Sequence, residues 1–333
     1  MPMKKISVAL FGLGNVGRAF AQYLTDKSVN IQIDAIADSS GGLILTDELS
    51  LDRAASYKES AGSLSELAPG QIITDLSEFI RALPAAGVTV LIECLPTNIA
   101  TGEPGLSFIG EALKSGINCV TVDKGPLVHG FETLQRIARE NGAQLRYSGT
   151  TGISIPDEIT SESVVEIRGV LNGTTNYVLT EMQQNNRSFQ DALSQAQSEG
   201  IAEPDPSLDI EGWDTASKIL ILAKSLMGAE VRLDEVSRIG IGPETESLIR
   251  TGRESGRVVR LVGRARIWQG RVRVSVAPKL LRRDSPFYAV SGTSKAAVFR
   301  TPDKGEVIAT ASSGRDAIAK VIVGDIAKIQ LEP

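Results

Sequence analysis

The chain has 333 residues, 42% of them hydrophobic, which is enough to bury a large core and to form two domains. A net charge of −5 leaves no basic footprint for nucleic acid. With no run of eighteen apolar residues, no basic-then-apolar leader and no low-complexity tract, the sequence predicts a soluble, cytoplasmic protein with no membrane partner.

The first element is the apolar run Ile6–Phe11, which reads as a buried strand and passes directly into Gly12-Leu13-Gly14-Asn15-Val16-Gly17 and a helical Arg18–Leu24. Strand, GxGxxG and helix in that order form the dinucleotide fingerprint in its required context. Gly12 permits the tight turn, Gly14 lets the backbone approach a pyrophosphate, and Gly17 allows close helix packing, with Asn15 and Val16 at the helix start where the phosphates sit. A second strand over Ile31–Ala37 ends at Asp38, where an acid binds the adenine ribose hydroxyls. Asp38 argues for NAD; Ser39 and Ser40 offer hydroxyls to a 2′-phosphate, so NADP stays open.

Two further strands fit a parallel sheet: Val88–Cys94, which runs into Leu95-Pro96-Thr97-Asn98, and Ile117–Val122, which runs into Asp123-Lys124-Gly125-Pro126. Both loops emerge at the carboxyl ends of their strands, where such sheets bind ligands, so Pro96, Thr97 and Lys124 are candidate cofactor or substrate contacts. After Pro156 the βαβ pattern gives way to a second, mixed sheet, with strands over Val164–Val170 and Arg271–Pro278 and helices over Phe189–Ser198 and Trp213–Met227. The chain ends in a helical stretch from Asp316 to Leu331.

Five acids, Glu203, Asp205, Asp209, Glu211 and Asp214, stand just ahead of Lys218 and an apolar Ile219–Ala223. Asp214 and Lys218 are four apart and share a helix face; the next residues on that face, Ile221 and Leu222, are apolar, which points the pair inward. A lysine held against a core needs a charge partner, because an unpaired buried ammonium costs several kcal/mol or loses its proton.

The scarce residue types narrow the chemistry. The only histidine, His129, has no identifiable aspartate to orient it, and two cysteines with one histidine supply no zinc-ligand spacing. Cys94 and Cys119 fall within strands and read as reduced structural thiols. Lysine is left as the acid and base.

Leu171-Asn172-Gly173-Thr174-Thr175-Asn176-Tyr177-Val178-Leu179, Gly200–Pro206, Asp209–Lys218 and Asp123-Lys124-Gly125-Pro126-Leu127 together resemble the homoserine dehydrogenases, the first three in that family's order and spacing. The resemblance implies an α/β fold: a Rossmann-type parallel-sheet nucleotide-binding domain, residues 1–147 and 305–333, with a second α+β domain, residues 148–304, for catalysis, substrate binding and dimerisation. It implies reversible NAD(P)-dependent reduction of L-aspartate 4-semialdehyde to L-homoserine by a homodimer. Lys218 matches the proton donor, Glu203 the acid that holds the substrate's amino group, and Asp209 and Asp214 the supporting acids. Lys124 matches a second catalytic lysine near the nicotinamide, and Gly173 and Thr174 match substrate contacts. Ser313 and Gly314 match positions near the cofactor. The chain resembles the short form of the family, with no C-terminal regulatory module.

Two departures stand out. Asp123 occupies a position where the family usually has asparagine, which would raise the pKa of Lys124 or alter how it meets the nicotinamide. Ser148 replaces a glutamate at the start of a loop whose carbonyls hold sodium in the family. Backbone ligands do not depend on side chain, so Ser148, Thr151, Ile153 and Ile155 are the candidate cation positions. Two other readings stay open, a different amino-acid or keto-acid dehydrogenase on the same fold, and a nucleotide sensor without turnover.

Overall fold

The computed structural model describes residues 5–27, 29–46, 62–68, 70–159, 164–311 and 315–331. They divide into two compact units, Met1–Thr150 with Gly314–Pro333, and Thr151–Ser313.

The first unit is built on a six-stranded sheet in the order β3-β2-β1-β4-β5-β6. Its strands are β1 (Ile6–Phe11), β2 (Ile31–Asp38), β3 (Gly41–Ile44), β4 (Val90–Glu93), β5 (Asn118–Thr121) and β6 (Leu145–Arg146). All pair in parallel except β3, which returns antiparallel beside β2. The apolar runs of β1, β4 and β5 are buried on both faces, as strands between two helical layers must be. On one side the helices Asn15–Asp26 and Arg315–Leu331 pack together, joining Phe20 and Ala21 to Ala319, Ile322 and Ile326 over Val8, Leu10 and Ile92. Phe11 stacks on Phe79 with centroids 5.8 Å apart and meets Phe108 edge-on at 5.9 Å. Each such pair contributes about 0.5–1.5 kcal/mol beyond its buried area. The carboxyl ends of β1, β4 and β5 are thereby fixed, and the fingerprint and the 94–98 and 123–126 loops all start from them.

The second unit carries another six-stranded sheet, ordered β12-β11-β7-β9-β10-β8. It comprises β7 (Glu166–Val170), β8 (Ser237–Arg238), β9 (Val258–Trp268), β10 (Arg271–Leu281), β11 (Lys295–Thr301) and β12 (Gly305–Ala311). The helices Gly173–Gln184, Trp213–Met227 and Thr245–Glu254 pack against it. At Gly263 on β9 the helix Trp213–Met227 approaches so closely that an added Cβ would lie 3.1 Å from Ile219 Cβ and Thr215 Cγ2.

One sequence boundary moves. Residues 305–311, assigned from the sequence to the nucleotide-binding domain, form β12 and pair antiparallel with β11. Their alternation of Val307 and Ala309 with Glu306, Ile308 and Thr310 suits a strand with two differently solvated faces. No described helix is long and apolar enough to cross a membrane.

Candidate active site

In the first unit the fingerprint glycines have separate physical duties. Gly12 adopts φ +96°, and a Cβ on it would lie 2.6 Å from the Cys94 carbonyl oxygen. At Gly17 a Cβ would reach 2.0 Å from the Gly12 carbonyl oxygen, so helix and strand touch through bare backbone. Gly14 is different: it is the N-cap of the helix Asn15–Asp26, provides no side-chain cap, and a Cβ there would meet no protein atom within 4 Å. The first N–H groups of that helix, of Asn15, Val16 and Gly17, have no intrahelical partners. An uncapped helix start with open space over Gly14 fits an anionic pyrophosphate.

Asp38 ends β2 as expected, but it is buried and its carboxylate is engaged by the chain itself. Oδ1 accepts from the Ser40 backbone N–H (2.8 Å) and hydroxyl (2.6 Å), and Oδ2 accepts from the Leu64 N–H at 3.2 Å. At least three of its roughly four lone-pair positions are therefore used by the chain itself. Ser39 is exposed beside it. Pro96 is exposed, Thr97 places its hydroxyl on the Asp123 carboxylate, and Lys124 is the N-cap residue of the helix Gly125–Glu140. Gly314 and Ser313 lie outside the described residues.

In the second unit the Asp214–Lys218 pair forms as its spacing predicts. Nζ lies 2.6 Å from Asp214 Oδ2, both side chains are only 12% exposed, and Nζ also donates to the Leu171 carbonyl at 3.1 Å. An exposed (i, i+4) pair would contribute about 0.3–0.5 kcal/mol; at this burial, breaking the pair strands a desolvated charge, which is far costlier. Gly212, with φ +84°, turns the acidic loop into the helix Trp213–Met227. The loop is braced by Ile241 N–H on the Ile210 carbonyl at 2.7 Å and by Arg238 stacked 3.6 Å over the Trp213 ring.

The residue that gathers the acids is one whose role the sequence did not disclose. Asn172 donates through Nδ2 to Asp209 Oδ1 (2.6 Å) and to Asp214 Oδ2 (2.8 Å), while its Oδ1 accepts the Thr175 N–H (2.8 Å) as N-cap of the helix Gly173–Gln184. Burial and the neighbouring Asp214 charge raise the pKa of Asp209, against the Thr174 and Asn172 side chains and the Lys218 ammonium, which favour its ionised form. The Thr174 hydroxyl, whose single proton Asp209 and the Ile201 carbonyl compete for, lies 3.1 Å from that carbonyl and ties the helix start to the Gly200–Pro206 loop. Gly173 opens that helix and is half-buried. The only sequence signal for Asn172 was its place just before a helical run, where asparagine is a preferred cap.

Glu203, which matches the acid that holds the substrate's amino group, is exposed. It lies on an exposed loop, where its backbone carbonyl accepts from Gln197 Nε2 at 3.4 Å, and its carboxylate is outside the Asn172 bridges. The exposed side chain leaves it available to a cation from solution. Of the candidate cation positions, Ser148 sits in a short helical turn and gives its N–H and hydroxyl to Asp325 at 2.9 and 2.6 Å. Ile153 is buried, with its carbonyl accepting the Thr151 hydroxyl at 3.0 Å, and Ile155 is half-buried. Cys94 and Cys119 are buried free thiols, and burial pushes both pKa values up. His129 is exposed, with Nε2 2.8 Å from the Ile99 carbonyl oxygen.

A doubly wound sheet with a helix start open to a dinucleotide, together with a half-sequestered lysine able to move a proton, places this protein among the nicotinamide-dependent oxidoreductases. Residues 12–148 match the family model described as "Homoserine dehydrogenase, NAD binding domain", and residues 153–327 match that of homoserine dehydrogenase. The chain is 32% identical to the homoserine dehydrogenase of Methanocaldococcus jannaschii, covering 97% of this chain and 98% of the relative. It is also 32% identical to the NAD(+)-dependent homoserine dehydrogenase of Pseudomonas canavaninivorans, over 98% and 97%. A hyperthermophilic archaeal homoserine dehydrogenase in complex with NADPH superposes with a TM-score of 0.78 at 29% identity, covering 99% of this chain and 98% of that one. The chain belongs to the homoserine dehydrogenase family.

Proposed function

We propose that the protein reversibly reduces L-aspartate 4-semialdehyde to L-homoserine in threonine, methionine and isoleucine biosynthesis, as a cytoplasmic homodimer, with Lys218 as proton donor and acceptor. The observation that carries this assignment is the Lys218 ammonium held at low exposure by Asp214 and the Leu171 carbonyl. Reduction of an aldehyde develops negative charge on its oxygen, and an anchored ammonium both stabilises that charge and delivers the proton. Asp214 orients Lys218, and Asp209 holds Asp214 in register through Asn172. Glu203 receives the substrate's ammonium, and Gly173 and Thr174 offer backbone and hydroxyl contacts. NAD or NADP, when bound, supplies or accepts the hydride. Gly12, Gly14, Asn15, Val16 and Gly17 hold its pyrophosphate; Asp38, Ser39, Pro96, Thr97, Lys124 and Gly314 contact the rest. Lys124 is the second catalytic lysine of this reading. A monovalent cation such as sodium takes backbone carbonyls from Ser148, Thr151, Ile153 and Ile155. Support for the dimer comes from the second sheet, where strand alternation puts exposed Trp268 and Ile308 on the face opposite Gly263 and its helix.

The test is a spectrophotometric assay of homoserine with NAD and NADP side by side, for the parent and Lys218→Ala. The variant is expected to lose turnover by several orders of magnitude while its affinity for NAD(P)H changes less than about twofold. Turnover within about tenfold of the parent would remove Lys218 from the proton-transfer step.

A further inference from the structure

Two carboxyl groups lie buried together where β4 and β5 end, and the reaction just described uses neither. Glu93 and Asp123 are 0% and 2% exposed, and Glu93 pairs with Thr121 across the parallel strands. Thr121 Oγ1 is 2.5 Å from Glu93 Oε2 and accepts the Asp123 N–H at 3.0 Å; Glu93 Oε1 accepts the Leu95 N–H at 2.8 Å. Asp123 Oδ1 accepts the Gly125 N–H at 2.9 Å, bending the chain around Lys124 into the helix Gly125–Glu140. Both carboxyls press on the same glycine: a Cβ at Gly105 would be 3.1 Å from Asp123 Oδ2 and 3.6 Å from Glu93 Cδ.

We propose that Glu93 and Asp123 hold one proton between them, and that the protonated pair is a positioning device which fixes the turn carrying Lys124. Two adjacent buried carboxylates cannot both stay ionised without strong repulsion. The proton resides on Glu93, because Asp123 has the helix-start N–H of Gly125, the Thr97 hydroxyl and the Lys124 ammonium to stabilise its charge. A protonated Glu93 donates to Thr121 Oγ1, whose own proton then turns to the Asp123 carbonyl 3.4 Å away, so every donor has an acceptor. Burial and the Asp123 charge push the Glu93 pKa up to about 8, in line with this arrangement. The other ionisable groups around the pair are Lys124 and the Cys94 and Cys119 thiols. The helix Gly105–Lys114 meets the pair through Gly105, and the helix Gly125–Glu140 meets it through Gly125 and Pro126. None of these carries charge.

The sign follows from proton linkage. Between the ordinary glutamate value of 4.5 and about 8, the folded chain keeps a proton that the unfolded chain has released. One retained proton makes the folding equilibrium constant fall by about tenfold per pH unit as pH rises through that window, levelling off above it. The experiment measures denaturant unfolding and NADPH affinity, by fluorescence, from pH 5 to 9.5, for the parent, Asp123→Asn, Glu93→Gln and the double variant. Glu93→Gln is expected to remove this stability slope and the alkaline loss of NADPH affinity, and the double variant to behave like it; Asp123→Asn is expected to move the upper end of the slope to lower pH without abolishing it, because burial still acts on Glu93 once the Asp123 charge is gone. Retention of the parental slope in Glu93→Gln, or an unshifted upper end in Asp123→Asn, would overturn the shared proton. Neither readout needs homoserine turnover, so a failure here is separable from a failure of the proposed reaction. If Glu93→Gln does not fold, Asp123→Asn decides the question alone.

Discussion

Asn172 offers the sharpest perturbation of the proposed proton-transfer site. Replacing it with aspartate keeps its shape and keeps an oxygen to accept the Thr175 N–H, so the helix Gly173–Gln184 keeps its cap, asparagine and aspartate being near equals there. The two bridges, 2.6 Å to Asp209 and 2.8 Å to Asp214, become contacts between carboxylate oxygens. Hydrogen bonds to charged groups contribute about 1.5–3 kcal/mol each, so about 3–6 kcal/mol of organisation around Lys218 is lost. At about 1.4 kcal/mol per factor of ten, kcat/KM for homoserine oxidation at pH 8 is expected to drop by roughly 10²- to 10⁴-fold. A third carboxyl in the cluster also takes up a proton more readily and can then donate to a neighbour, so lowering the pH toward 6 returns part of the activity relative to the parent. Asn172→Ala removes the bridges and the cap without adding charge, and its loss is expected to be flat with pH, with about 1 kcal/mol of additional destabilisation from the missing cap. Steady-state kinetics from pH 6 to 9 on the three proteins separate these outcomes. If Asn172→Asp stayed within about threefold of the parent at pH 8, or tracked Asn172→Ala at every pH, the bridging role would be refuted.

The glycines of the fingerprint divide in the same testable way. Gly14→Ala places its methyl in open space at φ −75°, so stability is expected to change by less than about 0.5 kcal/mol while NAD(P)H affinity falls at least about tenfold. Gly17→Ala drives a methyl to 2.0 Å from the Gly12 carbonyl oxygen and is expected to destabilise by at least about 1–3 kcal/mol in denaturant unfolding; equal behaviour of the two variants would contradict the assignment. Glu203→Gln is expected to raise KM for homoserine about tenfold or more with kcat little changed, and an unchanged KM would remove Glu203 from the substrate site.

What could be read from the sequence was what is local. Strand β1, the fingerprint and its helix are contiguous, so each glycine's duty followed from spacing alone. Asp214 and Lys218 are one helical turn apart, and the apolar residues beside them gave the direction of the pair. The bridging of Asp209 and Asp214 by Asn172 spans 37 and 42 residues, and no periodicity reports a polar contact at that distance. Strand β3 was hidden because it begins Gly41-Gly42, a poor strand signal. The structure needs glycine there because a Cβ at Gly42 would strike the Phe79 ring at 2.2 Å. Glu203 was assigned through the family resemblance, and its exposure was not legible from its neighbours: Ala202 beside it is buried, while Glu203 itself faces solvent.

Asp123 was legible as a departure from the resembling family, but its consequence was not, because its partner Glu93 sits thirty residues away on the adjoining strand. Taken alone, an added carboxylate beside Lys124 would place an extra negative charge next to that ammonium. With the shared proton, the balance differs. With Glu93 protonated, the one negative charge of the pair sits on Asp123 at the start of the helix Gly125–Glu140, where the Gly125 N–H and the helix dipole stabilise it. Once the pair's proton is lost, Glu93 adds a second negative charge beside it, and the repulsion between the two acts on the turn that carries Lys124.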